Sequence, residues 1–372
     1  MKQFFNEQKK LGFGCMRLPM KDDAVDYDEM KKMVDHFIAH GFNYFDTAHG
    51  YVGGKSEVAL KECLTSRYPR ESYILTDKLS THHFNKEEDI RPLFESQLEA
   101  CGVDYFDFYL MHAQDANIFE KYERTNAYKI AYGFKAEGKI KHFGISFHDR
   151  AEVLERILKA HPEVEVVQIQ FNYADYNDES VESRKVYEVC EKYGKPVIVM
   201  EPIKGGSLIN LPETAQKIFD DLGTGYSNAS YALRFAAGFP YIMTVLSGMS
   251  NMQNMEENVA TMENFQPLTD AEHSAVEEVV KIFKSQNLIP CTTCRYCMEE
   301  CPKGIHIPDL FSLLNAKKTF GNWNTDYYYN NIHATEGKKA SDCLKCGKCE
   351  KICPQHLKIR ELLGDVVAEF EK

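Results

Sequence analysis

The sequence predicts an α/β fold: a closed (β/α)₈ barrel followed by a small, mostly α-helical domain. Three observations predict it. Eight short apolar runs alternate with longer amphipathic stretches between Leu11 and about Met249. The chain has 372 residues, more than one ordinary domain needs, and a barrel of this kind takes about 250. Eight of the twelve cysteines crowd into two short segments near the C-terminus, where no strand pattern is found.

The apolar runs are Leu11–Met16, Asn43–Ala48, Tyr73–Leu79, Phe106–His112, His142–Phe147, Val164–Phe171, Pro196–Ile203 and Ile242–Gly248. Several are apolar nearly throughout, as parallel strands buried on both faces must be. The stretches between them carry helical periodicity. Met30, Met33, Val34, Phe37 and Ile38 fall on one face, and Gly41 supplies the stop. Similar patterns run through Glu87–Cys101, Ala151–Ala160 and Ser183–Tyr193. Strand–helix alternation implies right-handed crossovers and a parallel sheet, and eight repeats favour closure over an open sheet. Asp270–Ser285 reads as a last barrel helix with Thr269 as its N-cap. The expected domains are therefore 1–285 and 286–372, with helices over Asp309–Lys318 and Trp323–Ile332 in the second.

Composition narrows the function. Apolar residues make up 44%, enough for a large core, and the net charge of −12 argues against a nucleic-acid surface, which needs a basic face. The charge is uneven: from Gln286 onward 12 Lys+Arg face 11 Asp+Glu, so the acidity lies before it. No apolar run is long enough to cross a bilayer, and the N-terminal residues have no apolar core of a secretory signal. The expectation is a cytoplasmic protein with no membrane contact. In a reducing compartment, clustered cysteines read as metal or cluster ligands rather than disulfides.

The first quartet is Cys291, Cys294, Cys297 and Cys301, followed by Pro302; the second is Cys343, Cys346, Cys349 and Cys353, followed by Pro354. Each reads C-x₂-C-x₂-C-x₃-C-P, the bacterial ferredoxin spacing for a 4Fe–4S cluster. The chain supplies enough thiolates for two such clusters. Zinc sites and structural thiols are the alternatives; two full quartets with a trailing proline suit zinc poorly. The segment resembles the helical two-cluster ferredoxin domains that relay electrons, since 41 residues with helical pattern separate the quartets. If each fourth cysteine reaches the other cluster, Cys301 belongs with the second and Cys353 with the first.

Asp46 and Tyr51 lie at and just after the end of the second predicted strand, Lys78 at the end of the third and His112 at the end of the fourth. A barrel gathers strand ends around one mouth, so these four would converge. The set suits carbonyl reduction: a hydride attacks carbon while an acid protonates oxygen. A phenol is a reluctant acid near neutrality, and a buried ammonium beside it would lower its pKa. Asp46 would hold Lys78, and His112 would hydrogen-bond the substrate oxygen or relay the proton. His82, His83 and His148 read as solvated loop residues.

The order of Asp46, Tyr51, Lys78 and His112 resembles the tetrad of the aldo-keto reductases, whose fold is a TIM barrel. The likeness covers roughly Leu11 to Gln266. It includes Leu11-Gly12-Phe13-Gly14, Gly144-Ile145-Ser146, Val167-Gln168, Glu201-Pro202-Ile203 and Glu257-Asn258. It implies NADP or NAD as cofactor and a small carbonyl or alcohol as substrate. Ser146 and Gln168 would bind the nicotinamide carboxamide, Met200 would pack on its ring, the Ile203–Ser207 loop with Gly205 would approach the pyrophosphate, and Asn258 would contact adenine. Two departures stand out. Methionine occupies position 200, where the family often stacks an aromatic. The stretch Ser247–Asn254 carries no cation for a 2′-phosphate. A hydride carries two electrons and a 4Fe–4S cluster passes one, so the clusters would serve a separate redox partner, bind a partner protein, sense oxygen or act structurally. The rival reading is an adaptor or electron-transfer protein whose barrel no longer performs nicotinamide chemistry.

Overall fold

The computed structural model describes residues 9–178, 181–285, 289–291, 295–321, 324–335, 337–353 and 355–372. Cys294, Trp323 and Pro354 lie outside the described residues. The chain divides into two compact units. The first holds Met1–Tyr173, Ser183–Ile203 and Tyr226–Asp270; the second holds Ala174–Glu182, Lys204–Gly225 and Ala271–Lys372.

Eight parallel strands close a barrel in the first unit: β1 (Leu11–Gly14), β2 (Tyr44–Asp46), β3 (Ile74–Leu79), β4 (Phe106–Gln114), β5 (Ile140–Phe147), β6 (Val166–Gln170), β7 (Val197–Met200) and β8 (Ile242–Ser247). Each pairs with its chain neighbours, and Leu11 of β1 meets Val245 of β8 to close the ring. The runs expected from sequence all become strands. β4 continues two residues past His112 because Ala113 adopts φ +54° and breaks the register between Met111 and Gln114. One element has no counterpart in the sequence reading: a hairpin of Met20–Lys21 with Ala24–Val25, turned by Asp22 and Asp23 at φ +49° and +61°. Such a turn needs two left-handed residues, a conformation aspartate tolerates.

Helices follow the predicted periodicity. Tyr27–Ala39 starts where the Asp26 carboxylate accepts from Glu29 N at 3.0 Å and ends before Gly41 at φ +78°. Glu87–Cys101 and Ala151–Ala160 appear with the expected bounds. The barrel interior is filled by strand residues of alternating parity, among them Tyr44, Phe108, Leu110, Val166 and Ile198. Asp46, Lys78 and Gln168 share the inward parity of Tyr44, Thr76 and Val166, so the strand pleat directs them into the barrel.

Among the described residues of the second unit the regular elements are helical. Ile307–Phe320 and Ile359–Phe370 are its longer C-terminal helices, and Ile305, Leu310, Phe311, Leu314, Tyr329 and Val366 are buried in its core. Val181 joins the same core. Helix Asp270–Ser285 also belongs to this unit from Ala271 onward. Among the described residues no helix is long and apolar enough to cross a membrane.

Gly144 gives the closest test of the barrel packing. A Cβ there would stand 2.5 Å from Val166 Cγ1 and 2.6 Å from the Val166 carbonyl oxygen. Backbone cannot yield as a flexible side chain can. Gly144→Ala should therefore destabilise the fold by about 1–3 kcal/mol, the usual cost of overpacking, read as a lower urea midpoint.

Candidate active site and candidate metal centre

The Lys78 ammonium is fully buried inside the barrel and donates to Asp46 Oδ1 at 2.6 Å and to the Thr47 carbonyl at 2.6 Å. Two charges in this setting persist only when they meet each other and satisfy their remaining donors and acceptors. Gln168 Nε2 does part of that, donating to Asp46 Oδ2 at 3.4 Å from across the barrel. Burial pushes the Asp46 carboxyl above its ordinary pKa while Lys78 and Gln168 pull it down. Burial also works against the Lys78 ammonium, but Asp46 and Tyr51 outweigh it and its pKa ends above the usual lysine value.

Tyr51 reaches this pair because of the turn that follows β2. Tyr51–Gly54 forms a 3₁₀ turn in which Val52 sits at φ +53° and Gly53 at φ +63°. A left-handed β-branched residue is a true outlier, and it folds the chain back sharply after Tyr51. Lys78 Nζ lies 4.8 Å from the centre of the Tyr51 ring. Burial raises the phenol's pKa, Lys78 lowers it and Asp46 raises it, and the net direction is upward. The expected downward pull of the ammonium is present, but burial exceeds it.

The bulge at Ala113 carries His112 at the fourth strand end. Its ring meets the Tyr51 ring at 5.9 Å and 75°, and Nδ1 lies 2.5 Å from Ser80 Oγ. Burial, then Lys78 and the nearby His148, His82 and His83, hold its pKa well below the ordinary histidine value. The imidazole is therefore neutral at neutral pH, which suits a hydrogen-bond donor rather than a cationic acid. His82 and His83 are exposed, whereas His148 is half-buried, and burial with Lys78 pushes its pKa down to about 4.

The residues expected around a dinucleotide are dispersed along the strand ends. Ser146 Oγ accepts from Ala113 N at 2.8 Å, supporting the bulge. Met200 ends β7, half-buried, and Ile203 is half-buried just after it. Asn258 is buried and donates to Ser247 Oγ at 3.0 Å. Gly205, at φ +64°, belongs to the second unit with Lys204 and Ser207.

In the second unit the cysteines line two chambers of about 330 Å³ each, counting space open to solvent. Cys291, Cys297 and Cys353 line one; Cys301, Cys343, Cys346 and Cys349 line the other. Ile307 borders both. The four sulfurs of the second chamber are not disulfide-bonded, and backbone N–H groups of Ile305 and Lys345 donate to Cys301 and Cys343 sulfur at 3.4 Å each. Thiols gathered in apolar chambers, with amides aimed at sulfur, fit the thiolate set of an iron–sulfur cluster. A further His306–Asp309–His333 group brings its ligand atoms within 4.8 Å of one another. Arg295 already forks onto both Asp309 oxygens at 3.0 and 3.2 Å, so this carboxylate is neutralised by a guanidinium.

Residues 10–281 match the family model for the aldo/keto reductases. The chain belongs to the aldo/keto reductase family. Residues 290–357 of this aldo/keto reductase match a 4Fe-4S dicluster domain. An uncharacterized oxidoreductase of Bacillus subtilis is 23% identical over 304 residues, covering 73% of this chain and 92% of its own. An L-galactose dehydrogenase of Arabidopsis thaliana is 26% identical over 298 residues, covering 73% and 91%. Among solved structures, an aldo-keto reductase of Bacillus halodurans in its holo form aligns with a TM-score of 0.59 at 22% identity, covering 73% of this chain and 91% of that one. An aldo-keto reductase of Klebsiella pneumoniae in complex with NADPH aligns with a TM-score of 0.57 at 18% identity, covering 73% and 90%. This aldo/keto reductase is thus an oxidoreductase by family, with an iron–sulfur segment after the barrel.

Several residues of the site were not visible in the sequence. Ser80 and His148 act on His112, but only the barrel brings them near. Arg17, an exposed residue after β1, has side-chain carbons 3.5 and 3.8 Å from where a Gly248 Cβ would stand, so an arginine side chain does pack beside the stretch Ser247–Asn254. Parallel pairing of β1 with β8 explains that approach, and no local motif signals it.

Lys78→Met removes one partner of the buried pair and strands Asp46 in the barrel. The expected loss is about 3–5 kcal/mol of unfolding free energy in urea, far above a surface ion pair.

Proposed function

We propose that this aldo/keto reductase is an NAD(P)H-dependent enzyme for a small carbonyl or alcohol substrate, and that its C-terminal segment holds two 4Fe–4S clusters for electron transfer. The observation that carries the first part is the meeting of Tyr51, Lys78, Asp46 and His112 at one mouth. The bound dinucleotide supplies or accepts the hydride. Tyr51 gives its phenolic proton to the substrate oxygen, and Lys78 steadies the phenolate that results. Asp46 keeps Lys78 charged and in place. His112, neutral and tethered by Ser80, donates a hydrogen bond that orients the substrate oxygen. Ser146 and Gln168 would hold the carboxamide, Met200 the ring, the Ile203–Ser207 loop the pyrophosphate and Asn258 the adenine. Arg17 beside Gly248 supplies a cation for a dinucleotide phosphate. The adaptor reading loses ground because a barrel freed from catalysis has no need of a buried lysine beneath a tyrosine.

Cys291, Cys294, Cys297 and Cys353 would ligate one cluster and Cys301, Cys343, Cys346 and Cys349 the other. This exchange of fourth ligands follows the grouping of the sulfurs in the two chambers. The clusters pass single electrons, which suits a separate redox partner protein.

Tyr51→Phe should abolish NADPH-dependent reduction of a model aldehyde while leaving NADPH binding, followed by fluorescence, within about twofold; undiminished turnover would sink the assignment. Protein purified without oxygen should carry about eight iron and eight sulfide per chain. Cys346→Ser, in the second chamber, should lower both towards four and leave one cluster signal in electron paramagnetic resonance. Four iron in the unaltered protein would refute the two-cluster reading.

A further inference from the structure

Residues 338–360 hold seven Lys+Arg against two Asp+Glu, in a chain whose net charge is −12. The second cysteine quartet lies inside this basic stretch. One of its two acids is already neutralised: Arg360 Nη2 and Nε stand 2.7 and 2.9 Å from Glu350 Oε2. Lys345, Lys348 and Lys351 are exposed, and among the described residues none of them has an ion-pair partner.

The fold gathers these charges around the second chamber. Leu344, Lys303 and Glu300 share its lining with the cysteines. Lys303 is a further exposed cation, and Glu300 is the acid at that rim. Arg360 Nη1 donates to the Lys345 carbonyl at 3.5 Å, and its guanidinium carbon lies 3.6 Å from where a Gly347 Cβ would stand. The Lys338 stem lies 3.8 Å from the corresponding point at Gly304, three residues past Cys301. The chamber is also open at this rim. Leu344 is 61% exposed, and Cys346 is the one exposed thiol among the described cysteines. The first chamber differs: no charged side chain lines it among the described residues, and Cys297 and Cys353 there are buried.

We propose that the rim of the second chamber is the docking face for a small acidic protein that carries one electron at a time, and that the cluster held there is the port through which electrons enter the chain. This inference rests on the two-cluster reading and adds the port and the chemistry of the partner. Electron tunnelling falls off steeply with distance, so a carrier reacts through the cluster whose ligand reaches the surface. An apolar centre within a charged rim is the usual anatomy of a protein interface, and Leu344 amid the lysines supplies it. Lysines without internal partners steer an acidic carrier to that face, against the repulsion of an otherwise acidic chain. In the transfer one electron leaves the reduced carrier, which is oxidised, and enters the cluster, which is reduced. No bond is made or broken.

The test uses the full chain purified without oxygen and a photoreduced flavodoxin freed of small reductants, mixed by stopped flow while the cluster absorbance is followed. The second-order rate constant should fall about tenfold between roughly 20 and 300 mM salt. Lys345→Glu/Lys348→Glu should lower the low-salt rate about tenfold and flatten the salt dependence, while Lys32→Glu/Lys129→Glu, on the barrel, should change neither. Reduction by the methyl viologen radical, a small cation that needs no docking face, should not slow in any variant. If the first pair of substitutions lowers the iron content, Lys338→Glu/Lys358→Glu, each five residues from the nearest cysteine, decides by the same criteria. A flavodoxin rate that ignores salt, or that survives these reversals, overturns the docking face. Tight binding of a short DNA duplex that blocks flavodoxin would assign the rim to nucleic acid and overturn it as well. Failure of the cluster reading is seen separately, as no bleaching by viologen in the unaltered protein.

Discussion

The buried ion pair of Lys78 and Asp46 is the interaction on which the barrel mouth depends. An ammonium with no solvent exposure needs a carboxylate at contact distance and further acceptors for its other protons, and Asp46 with the Thr47 carbonyl provide them. That need explains the neighbourhood. Gln168 reaches across the barrel to the second Asp46 oxygen, and Tyr51 lays its ring over the ammonium. The positive charge then governs the titration of what surrounds it. It is the strongest charge acting on His112 and one of the two influences that depress His148, so the imidazoles around the mouth stay uncharged. A site of this kind presents a polarised phenol and a neutral imidazole to its substrate, with the full charges sealed beneath.

How much of this the sequence discloses follows from range. Strands buried on both faces are written as unbroken apolar runs, and all eight were legible. The hairpin at Met20–Val25 was not, because two-residue strands are too short for alternation to register. Asp46, Lys78 and His112 were legible as polar residues ending such runs. The direction of the Tyr51 phenol shift was not, because it balances burial against a nearby charge and only coordinates give both. The left-handed Val52, which turns Tyr51 over the mouth, contradicts every local preference of valine and could not be read from the chain. Ligand spacing made the cysteine quartets plain; which sulfurs share a chamber depends on the path of the 41 residues between them.

The segments 174–182 and 204–225 interrupt the barrel sequence yet belong to the unit that carries the cysteines. There Asp175 pairs with the buried Lys204 at 2.5 Å, Ser207 Oγ donates to the Phe320 carbonyl at 3.2 Å, and Val181 sits in the apolar core. The two modules are interleaved along the chain, not strung end to end. Transplanting the cysteine-bearing tail onto another barrel would sever it from two inserts it is packed with. Trimming it away would leave the Lys204 side chain without the Phe320 ring that now lies 5.1 Å beneath it.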